Sequence, residues 1–345
     1  MRTPRRNFIK QSALGMSALG MASAGMAQPA PASSVLEGRL PREVWIATLT
    51  QEGIYGKDCP EMLERTIAKM EGVLPQQPDI ICLPETFHYA GIQSPKPTIP
   101  EVARDWETPI TEAMSAFARK HQCYVIAPIH TLAEGKVYIA AVLFDRAGER
   151  MGGYRKIRVT EDEMDAGVTP GTPDPPVFQT DFGVIGIQIC FDVEWMDGWQ
   201  QLQRKGAEIV FWPSAFAGGK MINTMAWRHQ YYVVSSTLKG TTKICDISGD
   251  EIASSGAYNR WGVCAPVNLE KVFLHSWPYS QQFAAIEEKY GRKVRISTQH
   301  EEEFSIIESC SPDVKVADIL QEFNLKTMQD HLLSAQRRQE EHWNT

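Results

Sequence analysis

The chain has 345 residues, 43% hydrophobic and 22% charged, which excludes a disordered or fibrous chain and bounds one or two globular domains. Its formal charge is −7. Residues 1–27 carry Arg2, Arg5, Arg6 and Lys10 with no acid, so the remainder stands at −11. That balance gives no electrostatic attraction for nucleic acid or anionic lipid and leaves a small molecule as the expected partner.

Arg5-Arg6-Asn7-Phe8-Ile9-Lys10 opens an apolar stretch rich in Gly and Ala that runs to Ala27. This is the pattern of a twin-arginine signal peptide over residues 1–27, with Gly25 and Ala27 suited to the cleavage site. It predicts a periplasmic or otherwise exported protein. No later run reaches the roughly 18 apolar residues of a membrane span, so no membrane contact is expected after signal removal. Residues 28–42, with Pro29, Pro31, Ser33 and Ser34, read as a linker.

Val44, Ile46 and Leu49 mark a first strand over residues 43–50. Leu63, Ile67, Met70 and Leu74 repeat at helical spacing, which predicts a helix over 59–74. A second apolar strand ends at Pro84-Glu85, because proline cannot donate to a ladder. After a loop over 86–107, a helix is expected at 108–121, then strands at 124–129 and 137–144 joined by a turn at Glu134-Gly135. Gly148, Gly152 and Gly153 punctuate the approach to Lys156, and residues 160–181 read as an acidic, Gly- and Pro-rich loop. Val184 to Ile189 form a run buried on both faces that leads into Cys190. A short helix at 199–205, a strand at 208–214, a helix at 224–232 and strands at 233–238, 243–247 and 263–269 follow. Beyond them come a late strand at 289–296 and a charged helix at 316–338 carrying Ile319, Leu320, Phe323, Leu332 and Leu333. Alternating strands and helices imply α/β architecture. The expected division is a main domain at 43–280 and a C-terminal extension at 281–345.

Three side chains stand at ends of buried runs: Glu85, Lys156 and Cys190. Singly, each has a plain reading as a capping acid, a solvated cation and a buried thiol. Together and in that order they resemble the nitrilase superfamily of carbon–nitrogen hydrolases. The matching phrases are Leu83-Pro84-Glu85, Tyr154-Arg155-Lys156-Ile157, Gly167-Val168-Thr169-Pro170-Gly171, Ile189-Cys190-Phe191-Asp192 and the strand from Glu208 to Ser214. The resemblance covers residues 43 to 270.

It implies an α-β-β-α sandwich and a Glu-Lys-Cys triad. Cys190 would be the nucleophile that forms a thioester, Glu85 the general base and acid, and Lys156 the holder of the oxyanion together with the N–H of Phe191. A second glutamate supports the lysine in such proteins. Glu163 is the expected one and Glu161 its rival. Trp195 and Ser214, with Phe191, are candidates for the pocket wall. His88 and His130 follow strand ends and are given no catalytic role. No cofactor or metal is implied, and the seven cysteines match no zinc spacing. Cys190 is expected to be reduced. Cys-Phe-Asp is closer to the amidase and carbamoylase branches than to true nitrilases, which leaves a nitrilase or an N-acyltransferase as alternatives and an inactive binding protein as a remote one. The tail implies a homodimer or higher homo-oligomer. No G-x-S-x-G, P-loop, G-x-G-x-x-G or H-E-x-x-H is present to support a competing chemistry.

Overall fold

A computed structural model of the chain describes residues 39–258 and 261–344. The expected signal at 1–27 and most of the expected linker lie outside the described residues.

β1 (Glu43–Leu49) leads to α1 (Cys59–Glu71). Asp58 starts that helix by accepting the Glu61 N–H at 2.9 Å, with Pro60 in the first turn where no donor is needed. The helix ends sooner than its apolar spacing suggests, and residues 74–76 form a 3-10 turn instead. β2 (Ile80–Cys82) runs parallel to β1. After the short α2 (Ile99–Val102), α3 (Pro109–His121) is capped by Thr108. β3 (Tyr124–Ala133), β4 (Lys136–Phe144) and β5 (Arg150–Arg155) form an antiparallel meander. β5 passes through Gly152 and Gly153, which the sequence presents as turn residues.

The expected loop at 160–181 holds a one-turn helix, α4 (Glu161–Asp165), and an edge strand, β6 (Val177–Gln179). β7 (Val184–Ile187), α5 (Met196–Arg204), β8 (Ile209–Ser214), α6 (Lys220–His229) and β9 (Tyr232–Thr237) alternate with β7, β8 and β9 parallel. β10 (Lys243–Cys245) and β11 (Glu251–Ser254) complete a six-stranded sheet of order β11-β10-β9-β8-β7-β6. β12 (Gly262–Asn268) then crosses back to pair with β1, closing the first sheet as β12-β1-β2-β3-β4-β5.

Alternation along each strand decides the layering. Ile46, Ile80 and Ile126 of the first sheet meet Ile185, Ile187, Ile209, Phe211 and Val234 of the second in one core. The residues between them point outward: Ala47, Ile81 and Val125 against Met70, Met114 and Phe117 of α1 and α3. Val210, Trp212 and Val233 do the same against Trp199, Leu202 and Met225 of α5 and α6. The result is an α-β-β-α sandwich. Hydroxyls stitch its two sheets at one place. Thr48 of β1 donates to the Ser235 carbonyl, and Ser236 of β9 donates to the Leu49 and Cys82 carbonyls at 2.8 and 3.0 Å.

The C-terminal part builds a third sheet from β13 (Lys271–His275), β14 (Val294–Gln299) and β15 (Phe304–Ser309), in the order β13-β15-β14. It spans the expected boundary at residue 280. α7 (Ser276–Tyr279) and α8 (Phe283–Tyr290) lie between β13 and β14 in the chain, so much of the expected strand at 289–296 is helix and turn. Leu274, Ile286, Ile307, Ile319 and Leu325 give this part a core of its own. The expected helix at 316–338 is two helices, α9 (Val316–Glu322) and α10 (Met328–Trp343). Asn324 stops the first at φ +50, a conformation asparagine tolerates, and Thr327 caps the second through the Asp330 N–H at 3.0 Å.

Candidate active site

The second sheet presents Cys190. After β7 the chain turns at this residue, which sits at φ +46 and opens a 3-10 turn from Cys190 to Glu194. Left-handed backbone is rare for a residue with a Cβ, and such strain collects at functional sites. Two buried groups hold the turn. The Trp212 indole donates to the Cys190 carbonyl at 2.9 Å, and the Asp192 carboxylate accepts the Ile189 N–H at 2.7 Å. The Cys190 sulfur is in hydrogen-bond contact with the Ala215 N–H and the Ser214 hydroxyl. The Phe191 N–H stands at the start of the turn, where no earlier residue of the turn can accept it.

The first sheet presents the charges. Glu85 follows Pro84 just past β2. Lys156 follows β5, with its own N–H still bonded to Ile139 at 2.8 Å. The Lys156 ammonium lies 2.8 Å from Glu85 Oε1 and 2.7 and 2.8 Å from the two oxygens of Glu163. Glu163 is fixed by its place in α4, where it and Thr160 form a capping box, Oε2 accepting the Thr160 N–H at 2.9 Å. Glu161 is exposed and makes no such contact. Lys156, Glu85 and Cys190 are 1%, 3% and 7% exposed, so the three meet out of bulk water.

Burial sets the protonation states. It pushes the Cys190 thiol up to about 12, with Glu85 adding to the rise and Lys156 opposing it. It also raises Glu85 above the usual carboxylate range; Lys156 pulls that value down, Glu163 pushes it up and the Cys190 hydrogen bond lowers it. Burial alone would favour neutral Lys156, but Glu85, Cys190 and Glu163 hold the ammonium above the ordinary lysine value. The resting site is therefore a neutral thiol hydrogen-bonded to a carboxylate that shares a lysine with a second carboxylate. That arrangement can move a proton from sulfur to Glu85 when an electrophile arrives.

The remaining expected residues separate. Ser214 is fully buried beside the sulfur. Trp195 is 37% exposed and packs edge-on to Phe191 at 5.0 Å, with the Arg158 guanidinium over its ring, so it belongs to the rim. His88 and His130 pack edge to face at 5.4 Å, and burial holds both neutral, His130 at about 3. Sequence reasoning missed Tyr154, Asp192, Trp212 and the Ala215 N–H. Tyr154 and Asp192 stood inside the matching phrases, which was the available signal. All seven cysteines are free thiols. Among the described residues no group of three or more His, Cys, Asp or Glu is placed to hold a metal, and no helix is long and apolar enough to cross a membrane.

Comparison with known proteins gives the chain a family. A family model described as carbon-nitrogen hydrolase matches residues 46–273. A deaminated glutathione amidase of Synechocystis is 28% identical over 185 residues, spanning 48% of this chain and 67% of that protein. Among solved structures, a carbon-nitrogen hydrolase from Helicobacter pylori superposes with a TM-score of 0.59 at 19% identity, over 66% of this chain and 90% of the other. A mutant amidase from Nesterenkonia, with acrylamide added to its active-site cysteine, gives 0.55 at 17% identity, over 66% and 92%.

Proposed function

We propose that this chain, which belongs to the carbon–nitrogen hydrolase family within the nitrilase superfamily, is an exported amidohydrolase that cleaves a small amide or N-carbamoyl compound through a thioester on Cys190. The observation that carries this reading is the Glu85 carboxylate placed between the Lys156 ammonium and the Cys190 thiol, all three out of bulk water. Glu85 accepts the thiol proton as sulfur attacks the carbonyl carbon. The Lys156 ammonium and the Phe191 N–H hold the oxygen that gains charge. Collapse of the tetrahedral species expels the amine, to which Glu85 returns the proton, leaving a thioester. Glu85 then takes a proton from water, hydroxide equivalent attacks the thioester, and Cys190 leaves as a reprotonated thiol. Glu163 keeps Lys156 charged and aimed. The amidase-named relative and the Cys-Phe-Asp phrase support the amidase branch over the nitrilase one.

The test is ammonia release from a panel of amides, N-carbamoyl compounds and nitriles, comparing the protein with Cys190→Ala. Turnover of amides that disappears in the variant is expected. Turnover that survives it overturns the mechanism, and turnover of nitriles alone moves the protein to the other branch. Free acid formed with no amine acceptor present separates this from the N-acyltransferase reading, which predicts an acyl-enzyme that persists until an amine is added. The basic and apolar pattern of residues 1–27 supports export. Replacing Arg5 and Arg6 together by lysine should keep the protein in the cytoplasmic fraction. Leu332, Leu333 and Trp343 stay exposed on α10, which supports a homo-oligomer; a monomer by light scattering at micromolar concentration overturns that part.

A further inference from the structure

Lys156 and Cys190 reach the site from different sheets, the first beyond β5 at the edge of one, the second beyond β7 of the other. An oxyanion shared between the Lys156 ammonium and the Phe191 N–H requires the two chain segments to keep a fixed register. One carboxylate touches both. Asp192 Oδ2 accepts the Ile189 N–H at 2.7 Å and the Tyr154 hydroxyl at 2.6 Å, while Oδ1 accepts the Arg158 N–H at 2.7 Å. Ile189 adjoins Cys190, and Tyr154 and Arg158 flank Lys156 two residues to either side. The Tyr154 oxygen in turn accepts the Ile157 N–H at 3.3 Å. Asp192 and Tyr154 are each 1% exposed, so water does not compete for these bonds.

We propose that Asp192 is a positioning residue that, with Tyr154 as its relay, holds the Lys156 segment and the Cys190 turn in register. It contacts no reacting atom, and the proposal rests on the Cys190 mechanism above. An asparagine in its place offers one acceptor oxygen and turns an amide N–H toward a backbone N–H, so only the ionised acid serves every donor. The charged groups around it are Lys156 and Arg158, and Arg158 is itself paired with Asp197 of α5 at 2.7 Å; Tyr154 is the titratable neighbour. Burial pushes the Asp192 carboxyl up to about 6, although Tyr154, Ile189, Arg158 and Lys156 all favour its charge. Protonation turns an acceptor into an O–H that faces donors. The register therefore loosens as pH falls through about 6. The stability contribution runs the other way. A folded pKa above the ordinary aspartate value makes Asp192 most favourable to folding at acid pH, and that contribution is lost as pH rises through about 6.

Asp192→Asn and Tyr154→Phe test the proposal, read by kcat, KM, the pH profile of kcat/KM and thermal melts, with active sites counted by alkylation of Cys190. Asp192→Asn should lower kcat per active site by about 10²-fold, the scale of a misplacement near 1 Å, with little change in KM. The acid limb of kcat/KM should flatten from a slope of about two, for Glu85 and Asp192 together, to about one. Tyr154→Phe keeps the carboxylate and its two backbone bonds and should lower kcat by about 10-fold, the scale of one hydrogen bond to a charged group. A purely structural role lowers the number of active sites and the melting temperature but leaves kcat per site and the limb slope at the wild-type values; that result overturns the proposal. If Asp192→Asn does not fold, an unchanged kcat and profile in Tyr154→Phe overturns it alone. Loss of the underlying mechanism is seen separately, as turnover that survives Cys190→Ala.

Discussion

The first sheet brings charge to the site and the second brings a neutral thiol. Glu85, Lys156 and Glu163 hold each other through buried ion pairs. Cys190 is held by a strained turn and by hydrogen bonds from Trp212, Ser214 and Ala215. The difference teaches where each half is fragile. Removing one member of a buried ionic group strands the others in low dielectric, at about 3–5 kcal/mol. Removing one hydrogen bond from the neutral half costs about 1 kcal/mol.

Four measurements break or sharpen that contrast. Lys156→Met should be the most damaging, because two carboxylates then face each other without a cation. Loss of stability in urea melts by about 3 kcal/mol or more, with loss of ammonia release, is expected. A melt like that of the wild type would break the contrast. Glu85→Gln keeps the shape and removes the proposed base. It should lower kcat by about 10³-fold at saturating amide, and a loss under tenfold would assign the base elsewhere.

Glu163→Gln is the sharper probe, since Glu163 acts on Glu85 through charge. Glu85 sits above the usual glutamate range, so the base is lost as pH falls through a point above that range. Removing the Glu163 charge takes away a push upward. The acid limb of kcat/KM should move to lower pH, with kcat reduced by about 10-fold. A limb that stays in place denies the coupling. Ser214→Ala should be the mildest, at about fivefold in kcat/KM, the worth of one hydrogen bond to the sulfur.

Much of this was legible in the sequence alone. Ile80, Ile81 and Cys82 before Pro84, and Ile185, Ile187 and Ile189 before Cys190, are apolar runs that end in chemistry, and both ends meet in space. Distant pairings were not legible. β5 reads as turns because of Gly152 and Gly153, yet Gly152 lies at φ +142 and a Cβ on Gly153 would press on the Trp106 ring 3.1 Å away. The glycines there serve a strand. β6 has three residues inside a Pro-rich stretch and is a strand only because Val184 to Gly186 lie alongside. β15 gains its meaning from β14, five to fifteen residues before it, and from β13, twenty-nine to thirty-seven residues before it. Asp192 escaped notice for the same reason, since its partners Tyr154 and Arg158 stand more than thirty residues before it.

The turn at Cys190 has a consequence for durability. A left-handed backbone costs about 1–2 kcal/mol wherever a Cβ is present, and glycine escapes that cost. The protein therefore gives up persistence at the residue proposed as its nucleophile. A glycine at this position would relieve that cost and remove the thiol with it, so the strain persists only for as long as the thiol is of use.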